Sequence, residues 1–114
     1  MATADQCREA LDRLLAHIAE LNPQQRAANL VERTLSCEVT DLRLTFVTEV
    51  GPDGAKPARL AGDADGTAQV RFVTDSDTIV SIGEDPARFA KAWLGGRVKV
   101  HASLRDVMRL RKFL

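Results

Sequence analysis

The sequence of 114 residues is poor in aromatic residues and cysteine, and it has no long apolar run. Four Phe, one Trp and no Tyr leave aliphatic side chains to build most of the interior. Nowhere do about 18 apolar residues follow one another, and the first residues lack the basic and apolar segments of an export signal. These absences predict a cytoplasmic protein with no membrane span.

The two cysteines, Cys7 and Cys37, have a spacing that fits neither a CxxC motif nor a zinc ribbon. We therefore predict free thiols that pack as small apolar side chains. His17 and His101 have no second His or Cys nearby in the sequence, and we interpret both as surface residues. No metal site is predicted.

The motifs of common enzyme classes are missing from the chain. It contains no GxGxxG, Walker loop, HExxH or GxSxG sequence. Its two D-x-D pairs, at Asp63 and Asp75, do not continue into a calcium loop, so we interpret them as turn residues. The residues therefore predict a protein that is not an enzyme and holds no cofactor.

Charge is balanced overall but unevenly distributed. Residues 1–85 carry 8 Lys and Arg against 15 Asp and Glu, whereas residues 86–114 carry 8 against 1. The basic quarter is either a solvated face that complements the acidic remainder or a surface for transient contact with anionic lipid or an acidic partner. A neutral total and a single Trp argue against nucleic acid as a partner.

Helical spacing dominates the first third of the chain. Asp5 is a candidate cap for a helix that ends near Leu21, and Asn22 and Pro23 predict a second helix through Arg33. The apolar stripe of the first helix comprises Cys7, Leu11, Leu14, Leu15, Ile18 and Leu21. This stripe is expected to face the core.

Alternation with a period of two follows. It predicts strands over 35–39 and 42–46, separated by a turn or bulge at Thr40 and Asp41, where the apolar parity flips. Residues 51–67 are predicted as a loop with a short edge strand near 58–60, and residues 68–73 as a further strand. Residues 76–83 are compatible with a strand or a helix. Their apolar β-branched residues favour a strand, whereas the residues at the two ends of the segment are typical of helix termini.

The last quarter predicts a helix, a strand and a helix. The first helix starts at Asp85 and Pro86, ends at Gly95 and Gly96, and buries Phe89, Ala90, Trp93 and Leu94. Residues 97–102 form a strand with a basic outer face. Ser103 and Asp106 resemble a capping box for a final helix whose apolar arc is unusually broad.

Five consecutive segments carry a resemblance to a known family: QVRFV, TDSDTIVSIGED, FAKAWLGG, RVKVHA and SLRDVMRLRKFL. Their order resembles that of the sterol carrier protein-2-like lipid-binding domain. The family's most recognisable positions are here occupied by Trp93, Gly96, Val98, Lys99, Val100, Met108 and Leu110. Many members have Gly-Asp before the last helix, where this chain has Ala102 and Ser103. The peroxisomal tripeptide of some relatives is absent, so the resemblance is closest to a bacterial single-domain member.

The resemblance implies one α+β domain over residues 1–114, with a helix over 76–83. It further implies a mainly antiparallel sheet of about five strands, helices over one face, and an apolar tunnel between the layers. The implied function is noncatalytic binding or carriage of a sterol, fatty acid or acyl-CoA-like lipid. The predicted ligand-binding residues are Phe46, Phe72, Ile79, Ile82, Phe89, Trp93, Leu104, Met108 and Phe113.

The alternative is a protein-interaction or regulatory domain that accompanies a lipid-metabolising enzyme. In that case the interior is filled and holds no ligand. No stable membrane insertion and no particular protein partner are predicted by either reading.

Overall fold

The computed structural model describes residues 1–19, 32–51, 54–62 and 65–111. Within these ranges the helices are α1 (Ala4–Ala19), α2 (Ser76–Glu84), α3 (Arg88–Leu94) and α4 (Leu104–Arg111). The strands are β1 (Arg33–Val39), β2 (Leu44–Gly51), β3 (Gly54–Ala55), β4 (Arg59–Leu60), β5 (Val70–Thr74) and β6 (Lys99–His101). None of the described helices combines the length and the apolar content that crossing a bilayer requires.

The strands form one mixed sheet in the order β3-β2-β1-β5-β6, and β4 also pairs with β2. Only β1 and β5 run parallel among these pairs, while the other neighbours are antiparallel. The predicted α+β class and mainly antiparallel sheet are confirmed, and β4 is the predicted short edge strand.

A turn over residues 40–43 connects β1 to β2 and explains the flip in apolar parity. Arg43 adopts a left-handed conformation with φ of 53°. The register then places Cys37 opposite Phe46, so that both side chains face one core. The predicted break is confirmed, although β2 begins at Leu44 rather than Leu42.

The start of α1 differs from the prediction. Thr3 and Gln6 form a reciprocal capping box, in which the Thr3 N–H donates to the Gln6 amide oxygen at 2.8 Å and the Gln6 N–H donates to the Thr3 hydroxyl at 3.2 Å. Asp5 therefore lies in the first turn and is not the cap. Most of the predicted second helix lies outside the described residues. The predicted end of this helix at Arg33 is wrong, because Arg33 begins β1 and pairs with Val50.

The segment that the residues left open between strand and helix is α2, as the resemblance implied. Asp75 caps it by accepting hydrogen bonds from the Thr78 N–H at 2.8 Å and the Thr78 hydroxyl at 3.0 Å. A glycine is required near its end, since a Cβ on Gly83 would lie 2.6 Å from the Cβ of Ala10. This close approach seats α2 on α1.

The predicted burial of Leu94 in α3 is wrong. Leu94 is 84% exposed, whereas Ala92 is 1% exposed. The chain reverses at Gly96, which has φ of 80°, and the N–H groups of Arg97 and Val98 both donate to the Ala92 carbonyl. Because this reversal brings Val98 onto Ala92, Leu94 is left pointing into solvent.

Two apolar clusters lie between the sheet and the helices. The first joins α1, β1, β2 and α2 and consists of Cys7, Ala10, Cys37, Val39, Phe46, Ala58 and Ile79. The second joins α2, α3 and the residue before β6 and consists of Ile82, Ala92 and Val98. Both thiols are free and buried, as predicted.

Candidate functional site

Phe72 links the two clusters, because it packs against both from β5. Helix α2 reaches both clusters as well, with Ile79 in the first and Ile82 in the second. The three-residue spacing puts these side chains on one face of the helix. Together the three residues form a continuous apolar layer between sheet and helices.

An aromatic row leads from this layer toward α3. The rings of Phe72 and Phe89 meet edge to face with centroids 6.1 Å apart, and those of Phe89 and Trp93 are 5.7 Å apart at 51°. All three rings are half-buried. The four-residue spacing of Phe89 and Trp93 places both on one side of α3.

The row, the layer and Phe46 of the first cluster account for six of the nine predicted ligand residues. Phe46, Ile79 and Ile82 are buried, and Phe72, Phe89 and Trp93 are half-buried beside them. Leu104 and Met108 lie elsewhere, with exposed fractions of 78% and 53%. Phe113 lies outside the described residues.

An ion cluster around the buried Asp106 ties α4 to β1. Asp106 accepts hydrogen bonds from the Arg33 Nε at 3.1 and 3.2 Å and from an Arg109 Nη1 at 3.1 Å. The predicted cap is confirmed, since the Ser103 hydroxyl accepts the Asp106 N–H at 3.2 Å. Because Asp106 faces β1, Leu104 and Met108 lie on the opposite side of the helix.

Two of the grooves formed by the described residues are open to solvent and are not enclosed apolar tunnels. The larger, of about 440 Å³, is lined by Thr67, Ala68, Gln69, Arg71, Val100, His101, Ala102 and Ser103. The smaller, of about 110 Å³, lies near β1 and β2 beside the Arg59 and Asp65 ion pair. The tunnel implied by the resemblance stays a prediction.

The first cluster contains two thiols, those of Cys7 and Cys37. Burial, with a smaller contribution from Cys7, raises the pKa of Cys37 to about 12. Burial also raises the pKa of Cys7. Both thiols are therefore protonated at neutral pH and poorly nucleophilic. Among the described residues, no three His, Cys, Asp or Glu side chains are grouped as metal ligands.

The sequence did not predict the contact between Asp41 and Ser76. The Asp41 carboxylate accepts hydrogen bonds from the Ser76 N–H and hydroxyl, and these bonds hold the pKa of Asp41 below its usual range. The Ala2 N–H also donates to the Ser76 hydroxyl at 3.0 Å. No local signal predicts this contact, because 35 residues separate Asp41 from Ser76.

No protein-family model matches the chain, and neither does any curated protein. Solved structures do match. The palmitated SCP2L2 of Aedes aegypti, solved by NMR, is 12% identical with a TM-score of 0.63, covering 92% of this chain and 90% of that one. The crystal structure of Sterol Carrier Protein 2 Like 2 from the same species is 9% identical with a TM-score of 0.62, covering 96% and 97%.

A third structure, the ubiquinone synthesis protein UbiJ-SCP2, is 13% identical with a TM-score of 0.61. The match covers 90% of this chain and 88% of that one. The likenesses extend over nearly the whole of each chain. The chain therefore has the sterol carrier protein-2-like fold.

Proposed function

We propose that this protein binds or carries a sterol, fatty acid or acyl-CoA-like lipid without catalysis. The observation that carries the proposal is the aromatic row of Phe72, Phe89 and Trp93, which adjoins both apolar clusters while remaining half-buried. The fold supports it, since a solved structure with this fold is described as palmitated. The proposed setting is the cytoplasm, where free thiols are the expected state.

An apolar chain that enters between the layer and the rings of Phe89 and Trp93 would lose its contact with water. Removing about 300 Å² of apolar surface at about 25 cal/mol per Å² contributes on the order of 7 kcal/mol before the costs of association. The proposed ligand face consists of Phe46, Phe72, Ile79, Ile82, Phe89 and Trp93. Leu104 and Met108 are not needed for this face, because α4 turns them into solvent.

The chemistry of the layer supports carriage rather than reaction. The thiols of the adjoining first cluster, Cys7 and Cys37, have raised pKa values, so neither supplies a thiolate at neutral pH. A bound lipid would meet aliphatic and aromatic side chains. Such a site discriminates ligands by size and apolar area.

Titration with fluorescent fatty-acid, acyl-CoA and sterol analogues tests the proposal. Trp93, the only tryptophan of the chain, is expected to shift its emission as a ligand saturates the protein. Replacing Phe89 by Ala is expected to weaken the affinity about tenfold, since it removes the central ring of the row. Leu94→Ala, an exposed change in the same helix, is the matched control and should leave the affinity unchanged.

Absence of saturable binding for all three classes of analogue would contradict lipid carriage. The filled-interior alternative, an interaction domain beside a lipid-metabolising enzyme, would then be favoured. Equal losses of affinity in Phe89→Ala and Leu94→Ala would place the ligand away from the aromatic row.

A further inference from the structure

The exposed face of α4 is apolar in the middle and basic on both sides. An α-helix turns by about 100° per residue, so four side chains follow one another over roughly a third of the circumference of α4. In order around the helix they are Arg111, Leu104, Met108 and Arg105. All four are exposed, and Asp106 lies on the opposite side, bound to Arg33. We call these four residues the α4 face.

Within the described ranges, the charges of the α4 face are of one sign and have no ion-pair partner. Among the described residues, no carboxylate lies within ion-pair distance of Arg105 or Arg111. Arg71 and Lys99 are likewise exposed, on the outer side of β5 and β6, and have no ion-pair partner in the described ranges. The larger groove connects the two areas, because Arg71 and His101 line it together with Ser103, the cap of α4.

We propose that the α4 face docks the protein on the surface of an anionic lipid bilayer. Leu104 and Met108 enter the boundary between headgroups and acyl chains, while the Arg105 and Arg111 side chains reach back to lipid phosphates. The attraction of the arginines to this surface falls off within about 8 Å at physiological salt. This docking goes beyond lipid carriage and does not depend on a ligand in the apolar layer.

The small apolar area of the α4 face favours a bilayer over a protein. A stable protein interface buries about 800 Å² on each partner. Two side chains on a helix of eight residues cannot supply such an area. A bilayer accepts shallow insertion of a few apolar side chains when basic residues flank them. The charge excess of residues 86–114, 8 Lys and Arg against 1 Asp, complements anionic headgroups.

Flotation of the full chain with lipid vesicles tests the docking. Binding is expected to vesicles of phosphatidylcholine with phosphatidylglycerol and to be much weaker with phosphatidylcholine alone. The double variant Arg105→Gln/Arg111→Gln should bind the anionic vesicles roughly 25-fold more weakly, at about fivefold for each arginine. Its matched control, Lys91→Gln/Arg97→Gln, removes the same charge from exposed positions outside the α4 face and should lose far less.

The apolar half of the face has its own pair of variants. Leu104→Ser/Met108→Ser should weaken vesicle binding by at least about tenfold, because two inserted side chains are lost. Leu94→Ser is the control, since Leu94 is equally exposed but lies in α3. Thermal melting checks that all variants remain folded, and ligand titration checks the apolar layer separately.

Several results would overturn the docking. Equal binding to neutral and anionic vesicles would remove the role of the arginines. Equal losses in the charge variant and its control would reduce the effect to net charge. Binding to heparin, to DNA or to an acidic peptide without binding to vesicles would assign the α4 face to a soluble polyanion.

Discussion

The half of the molecule around α1, β1, β2 and α2 differs from the half around α3, β6 and α4 in how its apolar side chains are covered. In the first half, Cys7, Val39 and Ser76 are fully enclosed. In the second, the large apolar side chains of Leu94 and Leu104 point into solvent. Stability is therefore expected to concentrate in the first half, and the proposed docking on a bilayer in the second.

The two halves are also held by different polar contacts. Hydrogen bonds to Ser76 tie Asp41 and Ala2 to the start of α2, and Ser76 itself is completely buried. In the second half, α4 is tied to β1 by the Arg33 and Asp106 ion pair, whose arginine is 29% exposed. Asp41 is exposed to solvent as well, so in each half one partner of the contact is buried and the other is accessible.

Replacing one phenylalanine in each half is the test of this comparison with the largest expected effect on the free energy of unfolding. Phe46→Ala is expected to destabilise the protein by about 4 kcal/mol, because Phe46 is buried in the first cluster. Phe89→Ala is expected to cost only about 1–2 kcal/mol, because Phe89 is half-buried and its site opens to water. Urea denaturation measures both, and equal losses would contradict the comparison.

Local patterns predict most of the first half. Alternation with a period of two predicts β1 and β2 because one face of each strand is buried, and the parity flip predicts the turn at Asp41. Propensity did not settle residues 76–83. The start of α2 is stabilised by hydrogen bonds that two carboxylates accept: its own cap, Asp75, and Asp41, which is distant in sequence.

The second half was predicted less well because nonlocal contacts decide which apolar side chains are covered. Apolarity and helical spacing predict a buried Leu94, yet the chain reversal at Gly96 buries Ala92 instead. Asp106 could be predicted as part of a cap. Its partner Arg33, 73 residues earlier, could not, and that bond turns Leu104 outward.

For the candidate site, apolar residue type and spacing predict which side chains of strands and helices lie together. The strand residue Phe72 and the helix residue Ile79 were predicted as ligand residues, and the structure places both in the layer. Whether a ligand separates them is a matter of packing volume, which neither periodicity nor propensity encodes.

Removing the charge of Asp106 tests how α4 is held. Asp106→Asn is expected to destabilise the protein by about 1–2 kcal/mol, because a buried acceptor of two arginines loses its charge while both guanidinium groups can still reach water. Hydrogen exchange in α4 should accelerate more than in α1. Glu84→Gln, at an exposed ion pair, is the control and should change neither. Unchanged exchange in α4 would show that the ion cluster does not hold this helix.

The smallest predicted effect concerns the buried thiol of the first half at alkaline pH. The pKa of Cys37 is about 12 in the folded state, against a usual value of 9.0. Between these values the unfolded chain releases a proton that the folded protein retains, so stability is undiminished below about pH 9 and falls as the pH rises toward 12. The loss attributable to Cys37 should reach about 1.4 kcal/mol near pH 10.

Unfolding in urea under reducing conditions, repeated from about pH 8 to about pH 10, measures this loss. Cys37→Ala should lower stability at every pH through the cavity that it leaves, but its dependence on pH should be flatter than that of the unmodified chain. The double variant with Cys7→Ala should be flatter still, because burial raises the pKa of Cys7 as well. Equal slopes in all three proteins would mean that water reaches the first cluster. That result would contradict the contrast between a closed first half and an open second half.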